Sequence, residues 1–165
     1  GLQDVRRALR ALRAQEVAAE RGLRAIVKLV NVFELASGVE VRLELGNVPW
    51  TLGDEIDAAL YHFVQEGLVS AFRHGRATRI RVMFWIEAGE LHTSIRDNGR
   101  GAAEVSAGIG LAGMRERIEG LGGRLSAGNA VDGFDVAATI PVAPGPDQGL
   151  TRGADAGDLL KSRGN

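Results

Sequence analysis

Near the start of the chain the apolar positions recur every three or four residues. Leu2, Val5, Leu9 and Leu12 form one seam of a helix over Leu2 to Ala14, and Arg6, Arg7, Arg10 and Arg13 lie off that seam. Two readings fit it equally: a surface helix packed on its own domain, or the end of a longer bundle helix. A second helical pattern covers 16–36, with Leu23, Ile26, Val27, Val30 and Phe33 mostly on one side and Gly38 as its stop. At Val39 the period drops to two. Val39, Val41, Leu43 and Leu45 alternate with Glu40, Arg42 and Glu44, as a strand with one buried face requires. Asn47, Pro49 and Gly53 mark a turn, and Thr51 is placed to cap a long helix from about Leu52 to His74, with Gly75 as its C-cap. Ile80, Val82, Phe84 and Ile86 then alternate with Arg79, Arg81, Met83 and Trp85. After the Ala88-Gly89 turn, Leu91, Thr93, Ile95 and Asp97 share one face, so the two runs read as a hairpin. Residues 98–110 lose the apolar period and carry Gly99, Gly101, Gly108 and Gly110, a loop leading into a helix from Leu111 to Leu121 that Gly122-Gly123 ends. Strands at Arg124 to Ala127 and Phe134 to Val142 follow. Residues 143–165, opening on Pro-Gly-Pro and poor in large apolar groups, predict a disordered tail.

Composition narrows the classes. With 165 residues, 45% hydrophobic and 25% charged, the chain suits one globular domain and not a collagen, coiled coil or low-complexity polymer. The 20 Lys and Arg nearly balance 21 Asp and Glu, so charge does not favour nucleic acid or an anionic membrane as the main partner. The absence of Cys excludes disulfides, a thiolate nucleophile and Cys-ligated zinc, and the 3 His are scattered without metal-ligand spacing. No run approaches the roughly 18 to 20 apolar residues that span a bilayer. A chain that begins with Gly1 and not Met predicts a piece of a longer protein with a further region before it.

Three segments carry candidate chemistry. On the helix from Leu52, a 100° projection puts Ile56, Ala59, Leu60, Phe63, Gly67 and Ala71 on the buried face. Glu66, Ser70, Arg73 and His74 fall on that face or along its edge, which predicts a polar cavity beside the C-terminal half of the helix. The plainer alternative is a solvated edge with intrahelical hydrogen bonds. Asp97 shares its strand face with Leu91, Thr93 and Ile95, so its carboxylate points toward the layer covering the sheet and needs a donor. Gly99 and Gly101 let the backbone approach a ligand closely, and an adenine amino group suits Asp97 as donor. A strand-end Asp before an ordinary Asn-Gly turn is the plainer alternative. Gly108 and Gly110, just before Leu111 and its helix, offer main-chain N–H groups and a helix N-terminus to phosphates. The dinucleotide fingerprint and a Gly-Lys-Thr/Ser loop are both absent.

The combination is more specific than its parts. Glu66-x3-Ser70-x2-Arg73-His74, Asp97-x-Gly99-x-Gly101 and Gly108-x-Gly110-Leu111-x2-Met114-Arg115-Glu116-Arg117 occur in that order. The chain thereby resembles the ATP-binding catalytic domain of sensor histidine kinases, in particular the subfamily paired with helix-turn-helix response regulators, over about residues 2–142. The resemblance implies an α/β (α+β) two-layer sandwich: a mixed, mainly antiparallel sheet covered on one face by helices. It implies 1–15 as the end of a dimerisation helix and 16–142 as the catalytic domain. Asp97 would accept from the adenine amino group, with Gly99 and Gly101 walling the base. Gly108, Gly110 and Leu111 would belong to the phosphate-covering lid, with 102–107 its mobile part. Glu66 would be general base or metal-water organiser, and Arg73 and His74 would lie near the phosphates. The implied cofactors are ATP and Mg²⁺, and the implied reaction moves the γ-phosphoryl to a histidine. The implied partners are the dimerisation and phosphoacceptor domain of the same protein and a response regulator, in the cytoplasm, without nucleic acid or direct membrane contact and with homodimerisation only in the full-length protein.

Two residues depart from the family pattern. Ser70 stands where the family usually has the Asn that holds Mg²⁺, and Phe134 follows Gly133 where Thr is common. Neither His62 nor His92 has the setting of a phosphoacceptor, so the acceptor is expected upstream of Gly1. Two rival readings stay open: a nucleotide-binding regulatory module without phosphotransfer, motivated by Ser70, and a serine kinase of the anti-sigma-factor type. The Met114 to Arg117 string and the Leu2 to Ala14 helix stand against the second rival.

Overall fold

The structure, a computed structural model, describes residues 1–16, 20–99, 109–130 and 133–142. Among these the chain runs α1 (Leu2–Glu16), α2 (Leu23–Ser37), β1 (Glu40–Leu45), α3 (Asp54–Gly75), β2 (Arg79–Glu87) and β3 (Glu90–Asp97). It continues through α4 (Ile109–Gly120), β4 (Arg124–Ala130) and β5 (Gly133–Pro141). The strands form one sheet in the order β1-β2-β3-β5-β4. Only β1 and β2 pair in parallel, with Val41 opposite Ile80, and the other three pairs are antiparallel. The expected mixed, mainly antiparallel sheet is therefore present.

Alternation decides which face is covered. Ile80, Val82, Phe84 and Ile86 of β2, Leu91, Thr93, Ile95 and Asp97 of β3, and Val136, Ala138 and Ile140 of β5 are all buried on the inner face. α3 packs across β2, β3 and β5, α2 covers β1, and α4 lies on β4, β5 and α3. On the outer face Arg79, Arg81 and Arg96 are exposed, and Trp85 stacks on His92 with centroids 5.1 Å apart. Fully buried Phe33, Phe63 and Phe84 join the helices to the sheet. Each removes about 1.5–3 kcal/mol worth of apolar surface from water.

The seam of α1 packs on its own domain: Val5, Leu9 and Leu12 are buried against α2 and α3. α1 thus forms an outer layer over the helices, and the Arg13 guanidinium lies 4.5 Å from the Tyr61 ring centroid of α3.

Several expected boundaries move. α1 runs to Glu16, and α2 begins at Leu23 and not near 16, because Gly22 breaks the chain at φ 64, a left-handed value that suits glycine. Gly22 has no room for a Cβ against the Trp50 carbonyl, and Leu23 N–H donates to that same oxygen at 2.8 Å. α3 starts at Asp54 and is not capped by Thr51; Gly53 precedes it without a side-chain cap, and the Asp57 carboxylate accepts the Leu52 N–H at 2.9 Å. Gly75 is the last helical residue and not the cap: Arg76 takes the left-handed cap conformation at φ 50. α4 begins two residues before Leu111, and β4 extends past Ala127 to Ala130. The expected disordered tail, 143–165, lies outside the described residues, as does the lid segment 102–107.

Candidate functional site

α3 and β3 end at the same edge of the domain for a topological reason. β2 starts four residues after α3 ends, and its Ile80 lies opposite Asp97, the last residue of β3. At Gly67 a Cβ would meet the end of the Ile95 side chain, so α3 lies directly against β3. The segment leaving β3 leads to α4, whose first residues include Gly110 and Leu111.

Asp97 is the centre of this edge. It is only 7% exposed, as its strand parity requires. Its Oδ1 accepts the Gly99 N–H at 2.8 Å, and the Phe134 main-chain N–H also donates to the carboxylate. Burial pushes the carboxyl above its ordinary range, and these two hydrogen bonds pull the other way. No cationic side chain among the described residues contributes to that balance. A buried carboxylate that accepts from two main-chain N–H groups keeps acceptor capacity for a ligand donor. Gly133 supports it from β5: a Cβ there would run into the Asp97 carbonyl, so only glycine allows this approach.

The remaining expected residues divide. Glu66 is half-buried on α3, whereas Ser70 and Arg73 are exposed. His62 and Glu66 are half-buried and Ser70, one turn on, is exposed, while the lid segment expected to face them, 102–107, lies outside the described residues. Leu111 is partly buried against the core. Gly99 and Gly110 sit in the turn after β3 and in the first turn of α4. Gly101, Gly108 and the His74 side chain lie outside the described residues. An open groove of about 500 Å³ lined by Asp54, Glu55, Ala58, Arg117, Gly120 and Leu121 occupies the opposite end of α3. Ala58 and Ser70 are roughly 18 Å apart along the helix axis, so that groove is separate from the Asp97 edge.

Sequence reasoning gave no role to the Phe134 main chain or to Asn98. Their partners lie 37 and 20 residues away, beyond any local motif.

His62 is half-buried between helices. Burial first and the Arg117 guanidinium second hold its imidazole below the ordinary range; Glu66 opposes them and Arg13 adds to them. The folded pKa is below the unfolded value of about 6.5, so the folded state is favoured above that pH and loses stability as pH falls through the window. His62→Gln is therefore expected to lose less stability than wild type between pH 7.5 and 5, measured by denaturant titration at both values. Equal losses would contradict this placement of His62.

Comparison with known proteins points the same way. Residues 55–144 match the model of the family described as histidine kinase-, DNA gyrase B-, and HSP90-like ATPase. The signal transduction histidine-protein kinase/phosphatase UhpB of Salmonella typhimurium is 32% identical over 145 residues, 86% of this chain and 29% of that protein. The sensor histidine kinase MctS of Rhizobium johnstonii is 28% identical over 147 residues, 85% of this chain and 32% of that protein. The chain thus spans about a third of the length of these curated relatives. Among solved structures, the histidine kinase domain of the Erythrobacter litoralis blue-light activated kinase superposes with a TM-score of 0.63 at 20% identity, covering 72% of this chain and 60% of that one. The Acinetobacter baumannii histidine kinase AdeS gives 0.62 at 18% identity, covering 84% and 75%.

Proposed function

The chain belongs to the family of histidine kinase-, DNA gyrase B- and HSP90-like ATPases, and on that premise we propose that it is the ATP-binding catalytic domain of a sensor histidine kinase. The observation that carries the reading is Asp97: a buried carboxylate with main-chain donors and, among the described residues, no cation, placed inside the matched segment. In this reading Asp97 accepts from the adenine amino group, and Gly99 and Gly101 border the base. Gly108, Gly110 and Leu111 present main-chain N–H groups and the N-terminal end of α4 to the phosphates, with Arg73 and His74 adding positive charge.

Transfer joins an imidazole nitrogen of the acceptor histidine to the γ-phosphorus as the bond to the bridging oxygen breaks, leaving ADP. Glu66, half-buried and one turn from Ser70, takes the proton the imidazole gives up. No group of three metal-ligating side chains exists among the described residues. The donor set still suits Mg²⁺, a hard cation that keeps waters and substrate phosphates as ligands and would here meet the Ser70 hydroxyl through water. When bound, Mg²⁺ supplies charge neutralisation on the triphosphate. The acceptor belongs to a dimerisation and phosphoacceptor domain upstream, and a response regulator receives the group in the cytoplasm. No helix among the described residues is long and apolar enough to cross a membrane.

The test is transfer from labelled ATP within a longer version of the chain that includes the acceptor helix. Label lost in acid and kept in base supports histidine transfer. Acid-stable label points to the serine-kinase reading.

Ser70 favours a second reading, a nucleotide-binding regulatory module. Its hydroxyl is short and exposed, so its grip on a cation runs through water. Ser70→Asn is expected to raise the gain in ATP affinity on adding Mg²⁺ by about tenfold, read by calorimetry. An unchanged Mg²⁺ response would show that position 70 does not limit the metal.

A further inference from the structure

We propose that Asn98 is a positioning residue that clamps the Asp97 turn to the segment leaving α3, so that the two halves of the nucleotide site hold one geometry. The inference rests on the ATP-site reading above. Asn98 Oδ1 accepts the Thr78 N–H at 3.0 Å and the Arg79 N–H at 2.9 Å, and its Nδ2 donates to Thr78 Oγ1 at 2.9 Å. Its own N–H donates to the Arg79 carbonyl at 3.2 Å. Four hydrogen bonds thus join one residue to two others twenty and nineteen positions earlier.

The place of this clamp gives it a consequence for the site. The β2–β3 ladder ends with Ile80 opposite Asp97, and beyond it, among the described residues, the main-chain link is the single Asn98 N–H bond to the Arg79 carbonyl. Arg76 turns the chain there in the left-handed conformation, costly for a residue with a Cβ and kept only where the surroundings determine it. Thr78 also accepts the Glu40 N–H at 3.1 Å, which makes it the junction of β1, β2 and the Asp97 turn. Upstream of the clamp, one helix carries Glu66, Ser70 and Arg73; immediately before and after it stand Asp97 and Gly99. Releasing Asn98 lets the turn that holds the base drift from the helix that faces the phosphates. A one-ångström loss of register is costly in a site whose ligand must touch both halves.

Asn fits by its chemistry: one oxygen serves two N–H groups while the amide donates to a hydroxyl. Asp keeps both acceptances, and the Thr78 hydroxyl can rotate to donate to it. Ala keeps none.

The experiment is calorimetric titration of this chain and its variants with ATP, paired with amide exchange and thermal unfolding. Asn98→Ala is expected to weaken ATP about tenfold and to speed exchange at the Thr78 and Arg79 amides. Asn98→Asp is expected to recover affinity to within about threefold of wild type, with unfolding midpoints similar in all. Wild-type affinity in Asn98→Ala beside a loss in Asp97→Asn would overturn the clamp and leave the ATP site standing. Wild-type affinity in both would overturn the site itself. Should Asn98→Ala not fold, the unmodified chain decides: saturating ATP must slow exchange at the Thr78 and Arg79 amides, and unchanged exchange overturns the clamp.

Discussion

Asp97→Asn is expected to weaken ATP binding by about 100-fold while leaving the unliganded fold intact. A hydrogen bond to a charged acceptor contributes about 1.5–3 kcal/mol, and the substitution also sets an amide N–H₂ in place of one acceptor oxygen, opposite a ligand amino group. The effect on stability is small for a reason the burial of this group supplies. Its folded-state pKa is raised, chiefly by burial. The folded state therefore holds the proton longer, and the contribution of Asp97 is best in acid and lost as pH rises through the raised pKa. Above that raised pKa the ionised carboxylate is thus a cost that Asn removes. That relief offsets the weaker acceptance from Gly99 and Phe134. Calorimetry for ATP and thermal unfolding without it measure both halves of the prediction; undiminished affinity would remove the base pocket.

Gly133→Ala carries the largest expected effect on the fold. A Cβ at 133 would enter the main chain of Asp97 and Asn98, neither of which can rotate away. Overpacking into a well-packed site costs about 1–3 kcal/mol, and a clash with backbone belongs at the upper end, about 3 kcal/mol. Opening this contact also moves the Phe134 N–H away from the Asp97 carboxylate, so ATP affinity falls with stability. Gly113→Ala is the control. It sits inside α4, and a Cβ there meets nothing within 4 Å. The helix should gain about 0.5–1 kcal/mol from it. Denaturant titration reads both variants, and a neutral Gly133→Ala would contradict the close approach of β5 to Asp97.

The parts of this molecule that were legible in sequence are those set by local periodicity. Alternation at 79–97 gave both strands of the hairpin and the inward direction of Asp97, because side-chain parity in a strand leaves no freedom. Residues whose role depends on distant partners were not legible. Thr51 stands at a capping position, but in the hydrogen bond that organises this helix start the Leu52 N–H donates to Asp57, inside the helix. Apolar spacing sets the start of α2 too early because it continues through a segment that Gly22 interrupts for contact with Trp50, 28 residues on. Ser70 lay at the margin of the helical projection, where a small rotation separates a cavity wall from solvent. Asn98 read as half of a common turn, and only the fold reveals that its side chain serves Thr78 and Arg79.

The central claim is that the Asp97 edge is an ATP site. Calorimetric titration of this chain with ATP, with and without Mg²⁺ and with GTP as control, tests it most directly. ATP is expected to bind saturably and in preference to GTP, since the guanine ring presents a carbonyl where Asp97 requires an amino donor. Equal binding of the two nucleotides, or binding of neither, would contradict it.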